Sequence, residues 1–204
     1  MKKTLATMVA AFLMLASFKP EGGVKVGEKA TDFKLKNVDG KIVSMSSNYK
    51  DAKGVIVVFT CNHCPFAKKY EDRIIALDKK YKALGYPVVA INPNDPAKES
   101  EDSYENMQKR AKEKGYTFPY LFDETQTTAT SYGATRTPHI FILQKANADF
   151  VVKYIGAIDD NSDDANAVKE KYAENAVDAL LAGKAVATTY TKAIGCTIKW
   201  KAKS

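Results

Sequence analysis

The apolar residues of this chain change their spacing repeatedly, and each change marks an element. Residues 54–59 are an unbroken apolar, β-branched run of strand length. Beyond it, Phe66, Tyr70, Ile74, Leu77, Tyr81 and Leu84 recur at steps of three and four, the helical period, and Gly85 is a fitting stop. The pattern predicts a buried strand, the turn Cys61-Asn62-His63-Cys64, and an amphipathic helix over 65–84. Pro65 is expected about one turn inside that helix, where its missing N–H costs little.

Other segments follow the same logic. Asp32 to Leu35 and Lys41 to Met45 alternate about Asp39-Gly40, a hairpin turn. Residues 87–92 read as a second buried strand, broken by Asn92-Pro93-Asn94-Asp95-Pro96. Residues 97–103 are charged and loop-like, and a helix from about Asp102 to Lys114 ends at Gly115. A short apolar return over 118–123 and a helix over 124–132 come next. His139 to Leu143 and Asp149 to Tyr154 read as an antiparallel hairpin. Asp159 to Asp164 form an acidic loop, read as a solvated cap for a helix carrying Val168, Tyr172, Ala176, Leu180 and Leu181 and stopping at Gly183. Calcium is the alternative there, but the EF-hand spacing and glycine are missing. In the tail, Cys196, Ile198, Trp200 and Ala202 alternate with Thr197 and lysines, a period of two that argues for an extended strand with one apolar face. No repeat or low-complexity segment interrupts this order.

Size and charge narrow the picture. At 204 residues, 45% hydrophobic, the chain fits one domain with a full core and terminal extensions. Lys and Arg total 31 against 24 acidic residues, a net +7, with part of the excess at Lys2, Lys3 and the tail lysines. No basic helix carries interleaved aromatics, so nucleic-acid binding is not expected. Lys2-Lys3 before an apolar run from Leu5 to Phe18 reads as a signal peptide, too short to span a bilayer comfortably, with cleavage between Ala16 and Gly23; an uncleaved anchor is the alternative. The expected division is a signal peptide over 1–22, a domain over 23–184 and an extension over 185–204. The mature protein is expected outside the cytosol, in a periplasm where disulfides persist, with no stable membrane insertion after cleavage.

The chemistry lies in the three cysteines. A thiolate at Cys61, just ahead of a helix, would be favoured by unpaired amides and the helix dipole. Its pKa would fall from about 8.5 toward roughly 3.5–7.5. Protonated His63 would add to this, making a Cys61–Cys64 disulfide more oxidising than thioredoxin's. A structural zinc knuckle would need a second ligand pair, which is missing, so no metal and no cofactor are expected. Cys196, on the apolar face of the tail, is either a buried small hydrophobe or a third redox thiol reaching Cys61 or Cys64.

Strand, Cys-x-x-Cys, helix, strand, helix, X-Pro, hairpin, helix: this order resembles the thioredoxin fold, an α/β architecture with a mixed central sheet flanked by helices. The N-terminal hairpin and the insertion around 93–118 make it similar to the redoxin branch, which includes the alkyl hydroperoxide reductase/thiol-specific antioxidant superfamily. Cys-Asn-His-Cys-Pro-Phe at 61–66 and Gly-Cys-Thr-Ile-Lys-Trp at 195–200 resemble strings in small thiol-disulfide oxidoreductases of that group. The resemblance implies that Cys61 attacks, Cys64 resolves, and Thr137-Pro138 carries a cis peptide that faces the dithiol and binds substrate backbone. His63 matches the histidine of oxidising relatives. Val55 and Thr60 depart from thioredoxin, which has Asp and Trp there, so the proton acceptor for Cys64 is unassigned. The implied partners are protein thiols or disulfides and a redox partner. A thiol peroxidase assisted by Arg136 is an alternative, although the peroxidase motif Pro-x-x-x-Thr-x-x-Cys is not kept. So is a copper carrier using Cys61, Cys64 and either His139 or His63.

Overall fold

The computed structural model describes residues 22–202. Apart from Gly22, the expected signal peptide lies outside the described residues. Among those described, no helix is long and apolar enough to cross a membrane.

The chain opens with a hairpin of β1 (Lys34–Asn37) and β2 (Ile42–Ser44), followed by one turn of helix, α1 (Met45–Asn48). β3 (Gly54–Phe59) leads into α2 (Pro65–Tyr81) and a 3₁₀ turn at Lys82–Leu84. β4 (Val88–Asn92) is followed by a 3₁₀ turn at Ser100–Asp102 and by α3 (Tyr104–Lys114). Then come β5 (Tyr120–Phe122), α4 (Thr127–Tyr132), β6 (Arg136–Thr137), the hairpin β7 (His139–Ala146) and β8 (Asp149–Gly156), α5 (Tyr172–Leu181), and β9 (Cys196–Thr197).

Seven strands form one mixed sheet in the order β2-β1-β5-β4-β3-β7-β8. β3 runs parallel to β4, β4 parallel to β5, and β7 antiparallel to β3. The central strands are fully buried because both faces are covered. Val55, Val57 and Phe59 pack with Ile91, Tyr132 and Phe141 on one face. Ile56 and Val58 meet Tyr70, Ile74 and Leu77 of α2 and Val177 of α5 on the other. Each such buried aliphatic stabilises the fold by about 1.5–3 kcal/mol.

Several sequence expectations shift. α2 begins at Pro65 with Cys64 as its N-cap, so Pro65 is the first helical residue and Cys61 sits three residues ahead of the cap. α3 starts at Tyr104, where the Ser103 hydroxyl accepts from the Asn106 amide, and it stops at Gly115 in the left-handed region, φ 63°. α5 starts at Tyr172 rather than near Val168, and no acidic side chain caps it. Asp164 instead caps a 3₁₀ turn at Ala165–Ala167. Asp159 of the same loop is buried, receiving Tyr70 Oη at 2.8 Å and Arg73 Nη1 at 2.7 Å, so its carboxylate ties the loop to α2. The tail is shorter as a strand than its alternation implied. Only Cys196 and Thr197 are in β9, paired with β6 rather than with the main sheet. Ile198 is buried at 4% exposure while Trp200, on the same alternating face, stays at 37%.

Candidate active site

The loops after β3 and β4 open at the same end of the sheet, as do functional loops of α/β sheets generally. β3 delivers Thr60 to Cys64 there, and α2 begins at once. Facing them is β6 with the cis peptide Thr137–Pro138. Cys61 Sγ is 3.1 Å from Thr137 Oγ1, and Cys64 Sγ is 3.2 Å from the Thr137 carbonyl oxygen. The fold thus brings Cys61, Cys64, Thr137 and Pro138 together.

The disulfide is not between the two cysteines of the motif. Cys64 is joined to Cys196, 132 residues away in sequence, and Cys61 is a free, buried thiol. Thr137 and Cys196 are direct partners in the β6–β9 ladder, so the tail lies on the strand edge expected to receive substrate. Arg136 Nη1 donates to the Gly195 carbonyl at 3.1 Å. Gly195 is required by this approach: a Cβ there would stand 2.2 Å from the Thr137 oxygen. The tail is held further along by Lys199 N donating to Asn94 Oδ1 at 2.9 Å and by Lys201 N donating to Gln126 Oε1 at 2.8 Å.

The expected activation of Cys61 is also corrected. Burial, followed by the negative charge of Asp102, pushes its thiol up to about 12 in this disulfide state. The Thr137 hydroxyl and the amides of Cys64 and His63 favour the thiolate, but burial outweighs them. Cys64 is the cap residue of the helix, and its side chain makes no capping hydrogen bond.

His63 adjoins this cluster at 12% side-chain exposure, with Nδ1 2.6 Å from Asp102 Oδ2. Asp102 is fully buried. Its other oxygen accepts the Asn62 amide at 2.6 Å, and Asn94 Nδ2 donates to Oδ2 at 2.7 Å. Sequence reasoning missed Asp102 because it ends a charged run that reads as solvent-facing. The polar break Asn92 to Pro96, just past the carboxyl end of β4, was the available signal. A sulfur of Cys61, a ring nitrogen of His63 and an oxygen of Asp102 lie within 4.8 Å of one another. The carboxylate already accepts from the Asn62 amide and from Asn94 Nδ2. His139 stands apart from this trio. Burial lowers its pKa to about 4, Thr135 N donates to its Nδ1 at 3.4 Å, and its ring packs on Phe141.

A mixed sheet with a Cys-x-x-Cys turn between β3 and α2, facing a cis-proline loop, defines a thioredoxin-like redoxin. More narrowly, the chain belongs to the AhpC/TSA family, whose profile matches residues 26–175. Thiol-disulfide oxidoreductase ResA of Halalkalibacterium halodurans is 23% identical over 121 residues. That match covers 59% of this chain and 64% of the relative, less than two thirds of its length. An uncharacterized conserved protein from Geobacillus kaustophilus superposes with TM-score 0.81 at 40% identity, over 88% of this chain and 94% of its own. A hypothetical protein from Sinorhizobium meliloti 1021 does so with TM-score 0.81 at 34% identity, over 89% and 98%.

Proposed function

We propose that this protein is an extracytoplasmic thiol-disulfide oxidoreductase in which Cys61 is the entering thiol, Cys64 the shared sulfur and Cys196 a third redox thiol. One observation carries the reading: a free Cys61 thiol stands beside the Cys64–Cys196 disulfide at the cis-proline loop. The named activity of the ResA relative supports it. The Lys2-Lys3 start and the apolar run behind it support export to a periplasm.

The steps balance. The Cys61 thiolate attacks a substrate disulfide, forming a mixed disulfide and releasing one substrate thiolate. Cys64 then attacks Cys61 Sγ, so the second substrate thiolate leaves and a Cys61–Cys64 disulfide forms. Cys196 attacks Cys64 in turn, freeing Cys61 and giving the pairing described above. Each exchange breaks one S–S bond and makes one, and two electrons have passed from the protein to the substrate. In the reverse direction the same sulfurs oxidise a dithiol. A peptide substrate that adds a strand at Thr137 must displace β9, which holds that edge.

The peroxidase and copper alternatives are less supported. Arg136 is engaged by the tail, Cys61 is held as a thiol in this state, and Cys64 is bonded to Cys196.

The test is a glutathione redox titration followed by mass analysis of alkylated cysteines. The expected result is a reversible two-electron couple, with a mixed disulfide trapped on Cys61 in a Cys64→Ser, Cys196→Ser protein. A potential near −120 to −200 mV marks an oxidant or isomerase, and one near −270 mV or below a reductant. A protein whose mass never changes on titration sinks the reading.

A further inference from the structure

We propose that Asp102 is a positioning residue for the thiol chemistry, holding His63 so that its ring takes the proton from Cys61 when Cys61 attacks Cys64. The inference rests on the exchange reaction above and gives His63 of the motif a fixed carboxylate partner. Val55, where thioredoxins keep an acid, is a fully buried hydrocarbon here. The buried acid beside the thiols is instead Asp102, from the segment between β4 and α3.

Asp102 fixes the orientation of the His63 ring beside Cys61. Asp102 is fully buried, and its carboxylate is fixed by Asn62 N, Asn94 Nδ2 and His63 Nδ1 at 2.6, 2.7 and 2.6 Å. A histidine held this way by a carboxylate keeps one tautomer and orientation, and stabilises the imidazolium that forms. Cys61 Sγ lies within 4.8 Å of one His63 ring nitrogen and of one Asp102 carboxylate oxygen. In the step, the Cys61 S–H proton passes to His63 and the thiolate attacks Cys64 Sγ. The Cys64–Cys196 bond breaks, and Cys196 leaves as a thiolate that takes a proton back. No oxidant enters.

Other charged groups facing the cluster are otherwise engaged. Glu101 pairs with Lys68 of α2 at 3.0 Å, and Arg136 of β6 donates to Gly195. Tyr120 of β5 donates to Asn62 Oδ1 at 3.0 Å, and His139 of β7 is buried with its pKa lowered to about 4.

Asp102→Asn separates this role from two simpler ones, because two readouts move in opposite directions. The pH profile of Cys61 alkylation by iodoacetamide, scaled to its alkaline plateau to remove differences in access, reports the equilibrium thiolate fraction. It should rise, since removing a neighbouring negative charge eases ionisation. Disulfide turnover should fall roughly 100-fold at pH 7, the lower scale of acid–base assistance, and recover toward wild type as hydroxide takes over at alkaline pH. His63→Gln should reproduce the turnover profile, and the double variant should be no slower than either single one. If both rates rise together, Asp102 acts only through its charge. If both fall equally at every pH, it is only a strut for the loop. Either outcome overturns the proposal. Should Asp102→Asn misfold, a His63→Gln profile parallel to wild type overturns it as well. A wild-type protein without turnover would instead defeat the underlying exchange reading.

Discussion

The two sides of the cysteine cluster are built differently. One side, residues 54–81, is a single strand–turn–helix unit whose sulfurs are placed by local chain geometry. The other side is assembled from distant pieces: Asp102 and Asn94 from the segment after β4, Thr137 from β6, and Cys196 from the tail. The near side determines where thiols stand. The remote side determines which of them are paired and how deeply they are buried. A Cys-x-x-Cys motif read alone therefore locates a redox centre without describing its resting state.

The largest expected effect tests that division directly. Cys64→Ser removes the sulfur common to both pairings, and turnover should drop at least about 10³-fold, the scale of losing one member of a catalytic unit. Cys196→Ser should keep the Cys61–Cys64 pair and a measurable part of the turnover in the same dithiol assay. Equal losses in the two variants would erase the distinction between the sides.

Next comes the contribution of the long loop to stability. Closing 132 residues between Cys64 and Cys196 should stabilise the fold by about 5 kcal/mol on the chain-entropy scale. Urea unfolding with and without a phosphine reductant measures it. A shift to the Cys61–Cys64 pair, which closes a far smaller loop, should restore much less.

A smaller effect is set by His139. Its pKa is lowered from 6.5 to about 4 by burial, so the unfolded chain binds the extra proton first. The stability this gives is present above pH 6.5 and is lost as pH falls toward 4, by about 1.4 kcal/mol per pH unit. His139→Phe should flatten that part of an acid-unfolding profile.

The smallest expected effect concerns the seam between the sides. Gly195→Ala puts a Cβ against the Thr137 carbonyl, and the tail should lift at a cost of about 1–3 kcal/mol. Faster alkylation of Cys61 in the native protein would show the edge uncovered.

The sequence made the near side readable because local period decides it. β3 runs over Gly54–Phe59, and the apolar steps from Tyr70 to Tyr81 lie on the buried face of α2. The hairpin about Asp39-Gly40 and the β7–β8 pair follow from turn chemistry and alternation. The remote side was harder for physical reasons. Asp102 is buried only because three donors from other segments satisfy it, and nothing in residues 97–103 announces those donors. The tail's alternation put Ile198 in the core, yet it could not reveal that Thr137 would be the partner of Cys196. The depth of Cys61, and so the direction of its pKa shift, depends on the fold around it as a whole.

The bond from Cys64 to Cys196 also gives the domain a mechanical character. It is a clasp around the chain from α2 to β9, so a molecule stretched from its two ends would extend only by the chain lying outside that ring. A protease cut anywhere between the clasped positions would leave the fragments tethered until a reductant opened the ring, so breakdown of the protein would follow the redox state of its surroundings.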